Sequence, residues 1–127
     1  MTRDLPVFEA ELVTAVAEAH DTSPDQLAAL VARVQSYLAG FPGIEDLVYE
    51  WKRAFAYDPV VLRDDERYVV VLLPYVWEEL AEQLELEDDD LATLRAVHDR
   101  QARATFDARG EDAAVLEGGA PMVLHRE

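Results

Sequence analysis

Lysine is almost missing from this chain: Lys52 stands alone beside ten arginines, against 27 aspartates and glutamates and a formal charge of −16. Cysteine is absent, which excludes a disulfide framework, a thiolate metal site and a cysteine nucleophile. Serine occurs only at Ser23 and Ser36, and neither stands in a nucleophile elbow. No glycine loop is built to cradle a phosphate. Gly40 and Gly43 flank Pro42, and Gly118–Gly119 precede Ala120–Pro121 rather than a helix. Long hydrophobic runs are lacking too. The longest, Val69 to Val76, is broken by Pro74 and Tyr75 and falls well short of the roughly 20 apolar residues that cross a bilayer. The start, Met1 to Pro6, carries no apolar stretch of a signal peptide. These absences lead to the expectation of a cytoplasmic protein with no membrane contact, no cofactor and no metal.

What is abundant is carboxylate. In ordinary saline the Debye length is about 8 Å, so like charge of this density works against a compact fold, whereas near 1 M salt it shrinks to about 3 Å. Acid in excess, with arginine kept wherever a cation remains, is the surface of a halophile-type protein in a potassium-rich cytoplasm. The sign of the charge also bears on partners. Nucleic acid and anionic membranes favour basic surfaces, so binding to DNA is disfavoured but still open in molar salt, where repulsion is screened.

The length of 127 residues suits one domain, and a hydrophobic share of 50% suits a globular one. Hydrophobic spacing predicts a first helix from about Pro6 to His20, on Leu5, Phe8, Leu12 and Val16. Ser23, Pro24 and Gln26 read as N-cap, first helical position and capping box of a second helix over about 24–39, with Leu27, Leu30, Val31, Val34 and Leu38 inward and Gly40 as its stop. A tight turn at Phe41–Pro42–Gly43 leads to a third helix on Ile44, Leu47, Val48, Trp51 and Phe55. After Pro59 the period shortens to two, and about 60–73 reads as a β-hairpin around the acidic tip Asp64–Asp65–Glu66. Pro74 opens a fourth helix, and a fifth spans about Asp89 to Ala108, stopped by Gly110. The expected fold is α+β and mostly helical, about five helices with one central β-hairpin. Residues 1–110 form the helical domain, and 111–127 a tail that is either a third short strand or a loose end.

The chemistry-bearing inventory is thin. His20, His98 and His125 have no histidine or carboxylate three or four residues before them, so no helical metal pair exists. His98 falls on the inner stripe of the fifth helix, where it is either a hydrogen-bonded core histidine or a base paired with a distant carboxylate. Lys52 lies beside Arg53 on an outer face and reads as a surface cation. Two features stand out from the acidic background. Arg95, Arg100, Arg103 and Arg109, against Asp99 and Asp107, make a local positive island on the fifth helix. Tyr49, Trp51, Phe55, Tyr57, Tyr68, Tyr75 and Trp77 concentrate aromatic residues between positions 49 and 77, the tyrosines offering apolar area with one polar tip.

The order helix, helix, short turn, helix and charged hairpin over about residues 6–73 resembles a winged helix-turn-helix DNA-binding domain. The resemblance implies a recognition helix at Ile44 to Ala56 presenting Tyr49, Lys52 and Arg53, with Arg63 and Arg67 flanking the wing tip. Glu45, Asp46, Glu50 and the acidic tip depart from the basic face such domains use. The first expectation is therefore a non-catalytic protein-interaction or regulatory module, meeting a protein partner or a second copy through Arg95, Arg100 and Arg103. The alternative is a winged-helix regulator. The third is a small-molecule-binding protein or enzyme using His98 and the central tyrosines.

Overall fold

The computed structural model describes residues 5–40 and 43–126, so Phe41 and Pro42 of the expected turn lie outside the described residues. Among the described residues, five α-helices, α1 (Ala10–Ala19), α2 (Pro24–Ala39), α3 (Ile44–Ala54), α4 (Pro74–Gln83) and α5 (Asp88–Ala108), accompany an antiparallel sheet of β1 (Val60–Arg63), β2 (Arg67–Leu72) and β3 (Ala120–His125). A 3-10 helix at Ala113–Gly118 leads into β3. The fold is α+β and mostly helical, as the periodicity implies, and the tail is the third strand rather than a loose end.

Local chemistry sets the helix ends. The Ser23 hydroxyl accepts from the Gln26 N–H at 3.0 Å, while the Gln26 side chain turns to the Thr22 hydroxyl at 3.2 Å, so the capping box closes on one side only. α1, α4 and α5 end alike, with a left-handed residue just past the cap: Asp21 (φ 55°), Glu85 (φ 56°) and Gly110 (φ 69°). The next N–H then folds back onto the last turn, Thr22 to Ala17, Leu86 to Ala81 and Glu111 to Phe106. α1 begins at Ala10, later than the spacing suggests, because Val7 adopts φ 60° and turns the chain so that Phe8 enters the core. Its buried face is Val13, Val16 and Ala17, a small rotation from the expected stripe.

Strand order is β1-β2-β3, which puts β2 in the middle. Tyr68 to Leu72 of β2 are all buried, and so are Ala120 to Leu124 of β3, which accounts for the lack of alternation in both strands. A bulge between Val60 and Leu62 makes β1 irregular. The outer edge of β3 is closed by side chains. Pro121 has no N–H, the Val123 N–H donates to His98 Nδ1 at 2.9 Å, and the Gln35 amide donates to the Val123 carbonyl (2.8 Å) while accepting from the His125 N–H (3.0 Å). Gln35 thus stands in for a fourth strand. α5 is the central helix, packed on β3, α1, α2, α4 and the 3-10 helix.

Candidate interaction surfaces

His98 sits at the centre of the core with no solvent exposure. Its ring meets Phe8 and Trp77 edge-to-face, at centroid distances of 5.0 and 4.9 Å. Because Nδ1 accepts from Val123, the neutral ring carries its proton on Nε2, which has no hydrogen-bond partner among the described residues. Burial holds the imidazole far below its ordinary value of 6.5, at about 3, so it is neutral at any physiological pH. The general-base reading of His98 requires access that this packing removes. The ring is a core acceptor that anchors β3.

The hairpin tip is a tethered turn rather than a free wing. Asp64 Oδ1 accepts the N–H groups of Glu66 and Arg67, each at 2.8 Å, and Oδ2 pairs with Arg67 Nε at 3.1 Å and with the Arg109 guanidinium. Partial burial works to raise the Asp64 carboxyl. The two backbone donors and the two arginines outweigh it and hold the group below its usual value. Arg126 donates to the Asp64 carbonyl (2.8 Å) and to Glu45 (2.8 Å), with its guanidinium 4.7 Å from the Tyr68 ring centre. Tyr68 in turn donates to Glu45, which, helped by Arg126, lowers the Glu45 carboxyl. The acidic tip is an internal acceptor for three arginines. Arg67 is enclosed by that cage, with its side chain only 18% exposed, and is not presented to a DNA backbone; Arg63 is exposed beside it. Tyr49, Lys52 and Arg53 do form an exposed face on α3, but Arg53 lies 3.5 Å from Glu50 and 5.8 Å from the Tyr49 ring centre.

The arginine island of α5 is narrower than its sequence suggests. With the helix enclosed on most sides, Arg100 is exposed, Arg95 is half-buried, and Arg103 is tied to Asp99 at 3.0 Å in an i,i+4 pair. Arg109 is committed to the hairpin tip.

A broader surface lies where α3 leaves for β1 and β2 passes into α4. Trp51, Phe55 and Tyr57 stack in a column, with centroids 6.4 and 5.5 Å apart and planes within 12° and 15°. Tyr57 is fixed by donating to the Val71 carbonyl at 2.9 Å, yet remains 38% exposed; Leu73 (41%) and Tyr75 (48%) are exposed on the adjoining turn. Burial, with the Tyr75 phenol nearby, pushes the Tyr57 hydroxyl up. The clustering of tyrosines pointed to this region. Leu73 was missed, because it continues the apolar run of β2 and its exposure as the N-cap of α4 is set by where the strand ends. Among the described residues, no three histidine, aspartate or glutamate side chains are placed to hold a metal, and no single helix is long and apolar enough to cross a membrane.

Compared with known families, residues 6–126 match the one described as "Domain of unknown function (DUF8048)". No curated protein and no solved structure matches the chain.

Proposed function

We propose that this chain, which belongs to the family described as Domain of unknown function (DUF8048), is a non-catalytic interaction module that pairs with a second copy of itself. The aromatic column Trp51–Phe55–Tyr57, with Leu73 and Tyr75 exposed beside it, carries this reading. Amphipathic rings held rigidly at a surface suit an interface, since little side-chain freedom is left to lose on association.

The charges bordering the patch support a two-fold arrangement. The last turn of α3, which carries Trp51, has exposed Lys52 and Arg53, and α4, which carries Tyr75, has exposed Glu78 and Glu79. A two-fold axis through the patch sets the cations of each copy against the carboxylates of the other. High potassium in a halophile-type cytoplasm is the setting that lets two chains of −16 approach, because repulsion beyond the contact is then screened.

Light scattering in about 2 M KCl is expected to give twice the mass of one chain. The double variant Leu73→Asp, Tyr75→Ser is expected to give the mass of one. A wild-type protein that stays monomeric at about 1 mM, well above the Kd of a stable dimer, overturns the proposal.

A further inference from the structure

Residues 5–9 run as a strap over the core before α1 begins. Phe8 of this strap lines two separate cavities. One, of about 430 Å³, is bounded also by Leu5, Ala32, Ser36 and His125, and the other, of about 380 Å³, by Arg67, Gln101, Thr105 and Arg109. His98 lines neither cavity, yet its ring touches Phe8. Phe8 is thus the side chain between His98 and both cavities.

Three observations bear on the strap and on the groups beneath it. Val7, which precedes Phe8, has φ 60°, a left-handed conformation that is a true outlier for a β-branched residue and stores strain in the closed position. The strap is latched by one polar side chain: the Glu9 N–H donates to Gln101 Oε1 at 2.8 Å, and Gln101 Nε2 donates to the Glu9 carboxylate at 3.3 Å. Gln101 is 2% exposed and bonds also to Thr105, so lifting the strap frees a buried amide that needs a new donor and a new acceptor. Finally, His98 Nε2 and Trp77 Nε1 are buried donors with no partner among the described residues, in rings that touch each other.

We infer that the strap is a plug, and that the chamber filled by Phe8 is a binding site for a small neutral aromatic amide. The plug defines the chemistry of its replacement. A ring takes the place of Phe8 against His98, whose own ring touches Trp77, and an amide supplies an N–H in place of that of Glu9 and a carbonyl oxygen in place of the Glu9 carboxylate for Gln101. The Glu9 carboxylate belongs to an exposed residue and leaves with the strap, and the buried groups left behind, His98 and Gln101, are neutral, so a charge beside them would have no partner. This site is independent of the surface assigned to self-association.

N-acetylphenylalaninamide is the probe, titrated into the whole chain while the His98 ring and Trp77 indole signals are followed by NMR. Saturable shifts of both are expected, with N-acetylleucinamide binding at least about tenfold more weakly for want of the ring. The strap itself is tested by Val7→Gly against Val7→Ala. Both remove the isopropyl group, but only glycine relieves the left-handed strain, so Val7→Gly closes the plug more firmly and is expected to bind the probe about fivefold more weakly than Val7→Ala. No saturable binding by the wild type, equal binding of the leucine analogue, shifts that leave His98 and Trp77 unmoved, or equal affinities of the two Val7 variants each overturn the inference. The wild-type titration decides it even if either variant fails to fold.

Discussion

At the scale of single residues, His98 shows how one buried group couples acid to stability. Its folded value of about 3 lies below the ordinary 6.5, so the unfolded chain takes up a proton that the native core refuses. Stability is therefore full above about pH 6.5 and declines as pH falls toward the folded value, by about 1.4 kcal/mol per pH unit once the unfolded imidazole is charged. Glu45 and Asp64, both held below their ordinary 4.5 and 3.8, contribute losses of the same sign only in more acidic solution. Urea unfolding between about pH 6 and 5 isolates the histidine. His98→Asn keeps an acceptor, Oδ1, where Nδ1 now meets the Val123 N–H and should flatten that slope, and an unchanged slope in the variant would assign the acid sensitivity elsewhere. The burial of His98 was legible from its step of four with Leu94 and Ala102. Its partner was not, because Val123 reaches it only through the pairing of β3 with β2, and no local signal fixes that register.

At the scale of elements, the helix ends give the clearest contrast between what is local and what is not. Gly110 announced the end of α5. The first helix stops near His20 as the spacing implies, but nothing local marks the left-handed turn at Glu85, which is imposed by the packing that follows, including half-buried Leu86. Glu85→Gly should stabilise the protein by about 0.5–1 kcal/mol, because glycine takes positive φ freely and one acid is removed from a crowded run. A lower urea midpoint for that variant would show that the Glu85 side chain does more than cap. The same distinction governs the strands and the site. Hydrophobic runs located the hairpin and raised the option of a third strand, and Pro74 placed the start of α4. The blocking of the β3 edge by Gln35 and His98, and the caging of Asp64 by Arg67 and Arg109, join residues far apart in sequence and left no trace in spacing. So Asp64 at the acidic hairpin tip joins the end of α5 through its carboxylate and Arg126, just past the C-terminal strand, through its backbone carbonyl.

At the scale of the whole molecule, charge is the dominant unbalanced term. Among the described residues, six ion pairs engage only a few of the carboxylates, and most of the remaining described acids are exposed. Surface pairs of this kind contribute about 0–1 kcal/mol each, too little to offset mutual repulsion across a net −16. Screening then decides the stability of the fold in dilute buffer. Melting temperature should climb as KCl rises from about 0.05 M to 1 M, where the Debye length falls to about 3 Å, and level off beyond it. The rise should shrink near pH 4, where part of the carboxylate is protonated and there is less charge to screen. Pairing of two copies would also raise the melting temperature with salt, but that contribution depends on protein concentration. The Leu73→Asp, Tyr75→Ser variant separates the two: its melting temperature should be independent of concentration and still rise with KCl. A flat or falling curve in that variant would mean that the acidic surface does not govern stability and that salt acts only through association.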